Sequence, residues 1–261
     1  MLNIVVCVKQ TLDTAATVSV ENGVVSWGDS PLVLNPWDEY AVEEALRIRE
    51  AHSGQVTALS LGPEAAMEAL KLALAMGCEQ AILINDPALE DADTLVVSKV
   101  LAAAINKIGE VDLVLFGRGS VDNDTGITGP QVARRLNWPV LSLVADITSL
   151  DPQGRTIAVE RMLDEGRQLV RGPLPAVVSV VKGINEPRYP SFMGIRKASR
   201  SEIPIWSTAD IGLDEVPTPA MTWPEIFAPA KVEAECEMIE GETPEEVAAR
   251  LADRLIEEKV I

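Results

Sequence analysis

Short β-branched runs alternate with stretches of helix length along the first half of the chain, and that alternation restricts it to few folds. Leu2–Val8 (LNIVVCV) is an apolar run of strand length. Asn35-Pro36 then offers a helix N-cap and a first-turn proline, and Asp38 and Glu39 suit the positive end of the helix dipole. That helix ends at Ser53-Gly54. Val56–Leu61 reads as a strand, Pro63 to Met76 as a helix stopped by Gly77, and Ala81–Ile84 as a strand. A helix over about 93–107, the strand Val111–Phe116, a polar loop Gly117–Asp124, a helix through Arg135 and the strand Val140–Val144 continue the pattern. Strands and helices of these lengths predict an α/β fold. Its mostly parallel sheet is doubly wound in the Rossmann-like manner, with helices on both faces.

Three departures stand out. Glu21-Asn22-Gly23 between TVSV and VVSW is a hairpin signal inserted before the first helix. Beyond Asp146, Ile157–Met162 and Gln168–Val170 flank a polar turn and predict an added antiparallel hairpin, followed by another buried strand at Ala176–Val181. From Lys182 prolines recur without hydrophobic periodicity, so the stretch reads as an extended arm lying over something else. Thr243, Pro244 and Glu246 form a capping box for a last helix striped by Val247, Leu251 and Leu255. The acidic segment 233–242 before it reads as a solvated linker.

Composition removes several function classes. A net charge of -18 over 261 residues disfavours sequence-independent nucleic-acid binding and polybasic contact with anionic lipid. No run of about 20 apolar residues is available for membrane insertion. Cys7, Cys78 and Cys236 are odd in number and widely spaced, so neither a disulfide frame nor a metal site is implied. The first strand begins without a basic leader, which makes a cytoplasmic location the expectation. The single histidine, His52, falls at a helix end, so no Ser-His-Asp unit is in view and no catalytic residue is assigned. Neither GxxxxGK[ST] nor GxGxxG occurs.

In a sheet of this kind a ligand sits outside the carboxyl ends of the strands, where strand order reverses. That places a crevice between the first and fourth strands, bordered by Lys9–Thr14 and Gly117–Thr128. The second loop, GRGSVDNDTGITG, could present free main-chain N–H groups to a phosphate. Equally, Asp122, Asn123 and Asp124 could simply cap the following helix. The two aspartates would repel a polyphosphate, so one phosphate is easier to hold than three.

Specific residues carry a resemblance. Val8-Lys9-Gln10, Asn35-Pro36-Trp37-Asp38 before AVEEALRIRE, Leu61-Gly62-Pro63, Gly117–Asp124 leading to Thr128-Gly129-Pro130, and Asn185-Glu186-Pro187-Arg188-Tyr189 occur in order. Together they resemble the beta (small) subunit of electron-transfer flavoprotein over residues 1–206. The resemblance implies a heterodimer with an alpha subunit that holds most of a redox FAD, while the beta chain helps form the FAD site and binds AMP structurally. Nucleotide contacts implied by it are Cys7, Asn35, Pro36, Trp37, Asp38, Leu61, Gly119, Ser120, Val121, Asp122, Asn123, Asp124, Thr125, Gly126, Ile127, Thr128, Gly129 and Pro130. Implied partner-docking residues are Phe192, Met193, Arg196 and Lys197. Residues 207–261 are expected as an arm and terminal helix on the alpha subunit. Implied donors and acceptors are dehydrogenases such as acyl-CoA dehydrogenase and a quinone oxidoreductase.

Two further readings accompany this one. In an electron-bifurcating branch the same pocket holds FAD in place of AMP, with NADH as donor. Ala92-Asp93-Thr94 resembles that branch, whereas Asp91, Pro87 and Val96-Val97 depart from it. A stand-alone adenine-nucleotide sensor would need no partner.

Overall fold

A computed structural model describes residues 1–230 and 236–261. Of the acidic segment, residues 233–235 lie outside the described residues. Thirteen strands and six helices are described: β1 (Leu2–Cys7), β2 (Gln10–Leu12), β3 (Ser19–Glu21), β4 (Val24–Ser26), β5 (Leu32–Leu34), α1 (Pro36–His52), β6 (Gly54–Leu61), α2 (Met67–Met76), β7 (Gln80–Ile84), α3 (Thr94–Ile108), β8 (Leu113–Gly117), α4 (Thr128–Leu136), β9 (Val140–Asp151), β10 (Thr156–Leu163), β11 (Gly166–Pro173), β12 (Ala176–Val180), α5 (Phe192–Ala198), β13 (Ile205–Trp206) and α6 (Pro244–Glu257).

Nine strands make one sheet in the order β11-β10-β9-β12-β8-β1-β6-β7-β13. All neighbours from β9 to β13 are parallel, and the β9-β10-β11 end is antiparallel. Val6 of β1 lies between Ala58 of β6 and Leu115 of β8, so the central strand is paired on both sides. Alternation then sorts the side chains. Ile4, Val6, Leu113 and Leu115 meet Val42, Leu46, Leu70 and Ala73 on the α1/α2 face. Val5, Cys7, Val114 and Phe116 meet Val100, Ile105, Val132 and Ala133 on the α3/α4 face. Both faces of the central strands are buried, which is why their sequences are continuously apolar. The doubly wound α/β fold is therefore as expected.

The inserted digression is more ordered than a loop. Asn22 (φ 53°) and Gly23 (φ 77°) turn β3 into β4, the two left-handed residues that a tight hairpin needs. β2 pairs antiparallel with β5 at its base. At the other end of the chain the Pro-rich stretch departs from expectation. Its first part lies on this chain's own domain. Asn185 donates to the Tyr40 carbonyl and to Glu44, and Arg188 grips Glu43 and Glu50 of α1. β13 joins the sheet beside β7, and Ile211 is buried in the α3/α4 core. Each of these contacts is made by a single side chain or a two-residue strand, so no periodicity announces it. α6 buries none of its residues against the described chain. Its N-terminus is capped by the Thr243 hydroxyl, which accepts from the Glu246 N–H at 3.2 Å.

Candidate functional site

β1 is flanked by β8 on one side and by β6 on the other, so strand order reverses at the β1/β8 junction. A cavity of about 700 Å³ opens there, outside the carboxyl ends of the strands. That volume is typical of a pocket for a small organic ligand.

The floor is built from α1. Asp38 is buried, and its carboxylate accepts from the Lys9 N–H at 2.8 Å and from the Gly117 N–H at 3.2 Å. One side chain thus ties the tip of β1 to the tip of β8. Asn35 stands at the N-cap position of α1 but does not cap it. Its amide instead donates to the Gly119 carbonyl (2.8 Å) and accepts from the Val121 N–H (3.2 Å). Sequence reading had this side chain as a helix cap. The structure corrects it, because the loop after β8 passes close enough to compete for the amide.

The aspartates of that loop do not cap α4 either. Asp122 pairs with Lys9 (2.6 Å), and Asp124 pairs with Arg118 (2.8 Å), whose guanidinium lies 4.2 Å from the centre of the Trp37 ring. Both carboxylates are thereby neutralised, which lifts the repulsion expected from them. Ile127 occupies the N-cap position of α4 without any side-chain cap, and Thr128 and Gly129 line the cavity. The first-turn N–H groups of α4 are therefore open to an anion. The N-terminus of α3, beside that of α4, is closed. There Asp93 accepts from Val96 N–H (2.9 Å) and, from the C-terminal stretch, from Ala220 N–H (2.7 Å) and Met221 N–H (3.2 Å).

Burial pushes the Asp38 carboxyl up to about 7, against the pull of its N–H donors. The Cys7 thiol, also on the wall, is raised well above its ordinary range by burial and by Asp38. It stays protonated and is a packing group, not a nucleophile. Asp122 is pushed up by burial, but hydrogen bonds from Lys9 and Ser120 outweigh this and hold it below the usual carboxylate range. Among the described residues no cluster of three or more metal-ligating groups occurs. No described helix is long and apolar enough to cross a membrane.

A family profile for the electron transfer flavoprotein domain matches residues 23–211. The chain belongs to the electron-transfer flavoprotein beta-subunit family. It is 38% identical over 267 residues to the caffeyl-CoA reductase-Etf complex subunit CarD of Acetobacterium woodii, covering the whole of both chains. It is 36% identical over 262 residues to the electron transfer flavoprotein subunit beta of Bacillus subtilis, again over the whole of both. Protein FixA of Azorhizobium caulinodans is 37% identical over 221 residues, 82% of this chain and 78% of that one.

Of the residues that the family resemblance singled out, Cys7, Asn35, Asp38, Leu61, Gly119, Ser120, Asn123, Thr125, Gly126, Thr128 and Gly129 line the cavity. Pro36, Trp37, Val121, Asp122, Asp124, Ile127 and Pro130 are not on its wall. Trp37, Asp122 and Asp124 act behind it by holding Arg118 and Lys9. Phe192, Met193, Arg196 and Lys197 lie elsewhere, exposed on α5. The sequence reading did not name Ile84, Asp86, Leu89 and Leu101, which also line the cavity together with Thr94 and Val97. The carboxyl-end rule, applied to β6 and β7 as well as to β1 and β8, would have found them.

Proposed function

We propose that this chain is the beta subunit of a heterodimeric electron-transfer flavoprotein that carries electrons from flavin dehydrogenases to a downstream acceptor. It holds AMP in the cavity and, with an alpha subunit, completes a FAD site. One observation carries the adenylate reading: a ligand-sized hollow at the switch point reaches the uncapped N-terminus of α4, where Thr128 and Gly129 line it. One phosphate fits there, while the Asp93 carboxylate closes the neighbouring N-terminus of α3. Apolar side chains of Leu59, Leu61, Ile84 and Leu101 offer surface for a base.

When bound, FAD supplies the redox chemistry, and the protein's part is position and electrostatics. The chain's own residues bind and orient. Main-chain amides near Gly126 and Thr128 hold the phosphate, and the protonated Cys7 thiol packs without reacting. Trp223 and Phe227, both largely exposed, belong in this reading to the surface that the alpha subunit covers. α5 presents Phe192, 79% exposed, beside Arg196 and Lys197. That apolar tip with a basic flank suits docking to acidic surfaces of dehydrogenases such as acyl-CoA dehydrogenase and of a quinone oxidoreductase. Two buried free thiols, Cys7 and Cys78, suit the reducing cytoplasm.

A second reading puts FAD in the cavity, with NADH as donor. The apolar lining that Leu89, Val97 and Leu101 add favours it, because a flavin ring system takes more apolar surface than an adenylate does. So does full-length similarity to a subunit of a caffeyl-CoA reductase-Etf complex. Denaturing the purified heterodimer and quantifying what is released separates them. One AMP and one FAD per heterodimer are expected; two FAD and no AMP would overturn the AMP reading.

A further inference from the structure

The resemblance makes Asn35 and Asp38 nucleotide contacts, but the structure spends their polar atoms on the protein. We propose that Asn35 and Asp38 are positioning residues that hold the 117–121 segment in place as the wall beside the phosphate site at the N-terminus of α4. The inference deepens the adenylate reading and rests on it for the identity of the ligand.

Four hydrogen bonds define the clamp. Asn35 meets Gly119 and Val121 as a strand backbone would, with one donor and one acceptor, and it is fully buried at 0% exposure. Asp38 takes the N–H groups of Lys9 and Gly117, one on each carboxylate oxygen. A free β-hairpin or loop of this length would satisfy those N–H groups within itself or in water. Here Asn35 and Asp38 supply the partners, so the bend at 118–119 is tied down on the start of α1.

The packing is correspondingly close. A Cβ at Gly117 would stand 2.6 Å from Asp38 Oδ1 and 2.7 Å from the Trp37 carbonyl carbon. At Gly119 it would meet Asp124 Oδ1 at 2.9 Å and the Trp37 ring at 3.1 Å. Glycine at both positions lets the loop seat on the first turn of α1, where Asn35 and Asp38 reach it. The Gly-rich loop is thus shaped by α1 before any ligand arrives.

Hydrogen exchange on the full chain in complex with its alpha subunit, with and without AMP, tests this. In the AMP-free complex, Asn35→Ala should speed exchange of the Val121 amide about tenfold or more and weaken AMP binding about tenfold. Asn35→Asp keeps the acceptor for Val121 and loses the donor for Gly119. It should leave Val121 protected yet still weaken AMP, and it guards against misfolding of the alanine variant. Asp38→Asn should release one of the Lys9 and Gly117 amides and spare the other. Weaker AMP binding with unchanged AMP-free exchange would make these residues direct contacts and overturn the proposal. Unchanged AMP binding in all three variants would overturn it too. If the unmodified complex ignores AMP, the adenylate reading fails, and the exchange pattern alone then decides the clamp.

Discussion

Asp38 carries the clearest pH signature in the chain. Its carboxyl is raised to about 7 by burial in the folded protein and titrates near 3.9 in an unfolded chain. Below about pH 4 both states hold the proton. Between about 4 and 7 only the unfolded state releases it, so the Asp38 contribution to stability falls as pH rises and is gone above the folded value. Urea unfolding at several pH values should show this as a difference: Asp38→Asn lacks the decline across that window that the unmodified chain shows. Equal slopes would remove Asp38 from the account. At the phosphate end of the cavity, Gly126 has φ 63° and its Cβ would meet the Arg118 carbonyl oxygen at 3.1 Å. Gly126→Val and Thr128→Trp should both expel AMP, and unchanged AMP content in the purified complex would displace the phosphate from α4. Arg188 pairs with Glu43, a carboxylate that is buried on α1. Arg188→Ala strands that charge, and thermal unfolding should register a loss of about 2 kcal/mol. The sequence showed Asn35, Asp38 and Arg188 as residues in motifs. It could not show that their partners lie 29 to 145 positions away.

At the level of elements, α5 is the one whose position matters most for the proposed docking. Gly194 packs directly on the Ala75 carbonyl of α2, with no room for a methyl group between them. Gly194→Ala should therefore push α5 off α2 and move Phe192 and Met193 with it. Phe192→Ala removes the apolar anchor alone. With a dehydrogenase as electron donor, Phe192→Ala should raise KM about tenfold with kcat little changed. An unchanged KM would take the α5 tip out of docking. The main helices and strands were legible because their apolar periodicity is long and both faces of the sheet are covered. β13 was not, since two residues pair with β7 only after the chain has crossed the α1 face. β9 ran on to Asp151, well past the expected end at Val144, because β10 pairs with its outer half.

For the whole molecule, the prediction concerns the chain without its partner. No residue of α6 is fully buried, and Met221, Trp223, Phe227 and Met238 are exposed along the C-terminal stretch. Produced alone, the chain should bind a hydrophobic dye and self-associate; with the alpha subunit it should do neither. A monodisperse lone monomer by light scattering would count against an alpha-subunit surface there. Residue order alone settled the doubly wound sheet and the location of the crevice, because hydrophobic period and the reversal of strand order are local and topological properties. Tertiary contact decided the rest. It turned Asn35 from a cap into a brace and neutralised Asp122 and Asp124 with Lys9 and Arg118. It also left the N-terminus of α4 open while closing that of α3 with Asp93. A polar side chain takes whichever partner the fold brings within hydrogen-bond reach, and that distance is written nowhere in the linear chain.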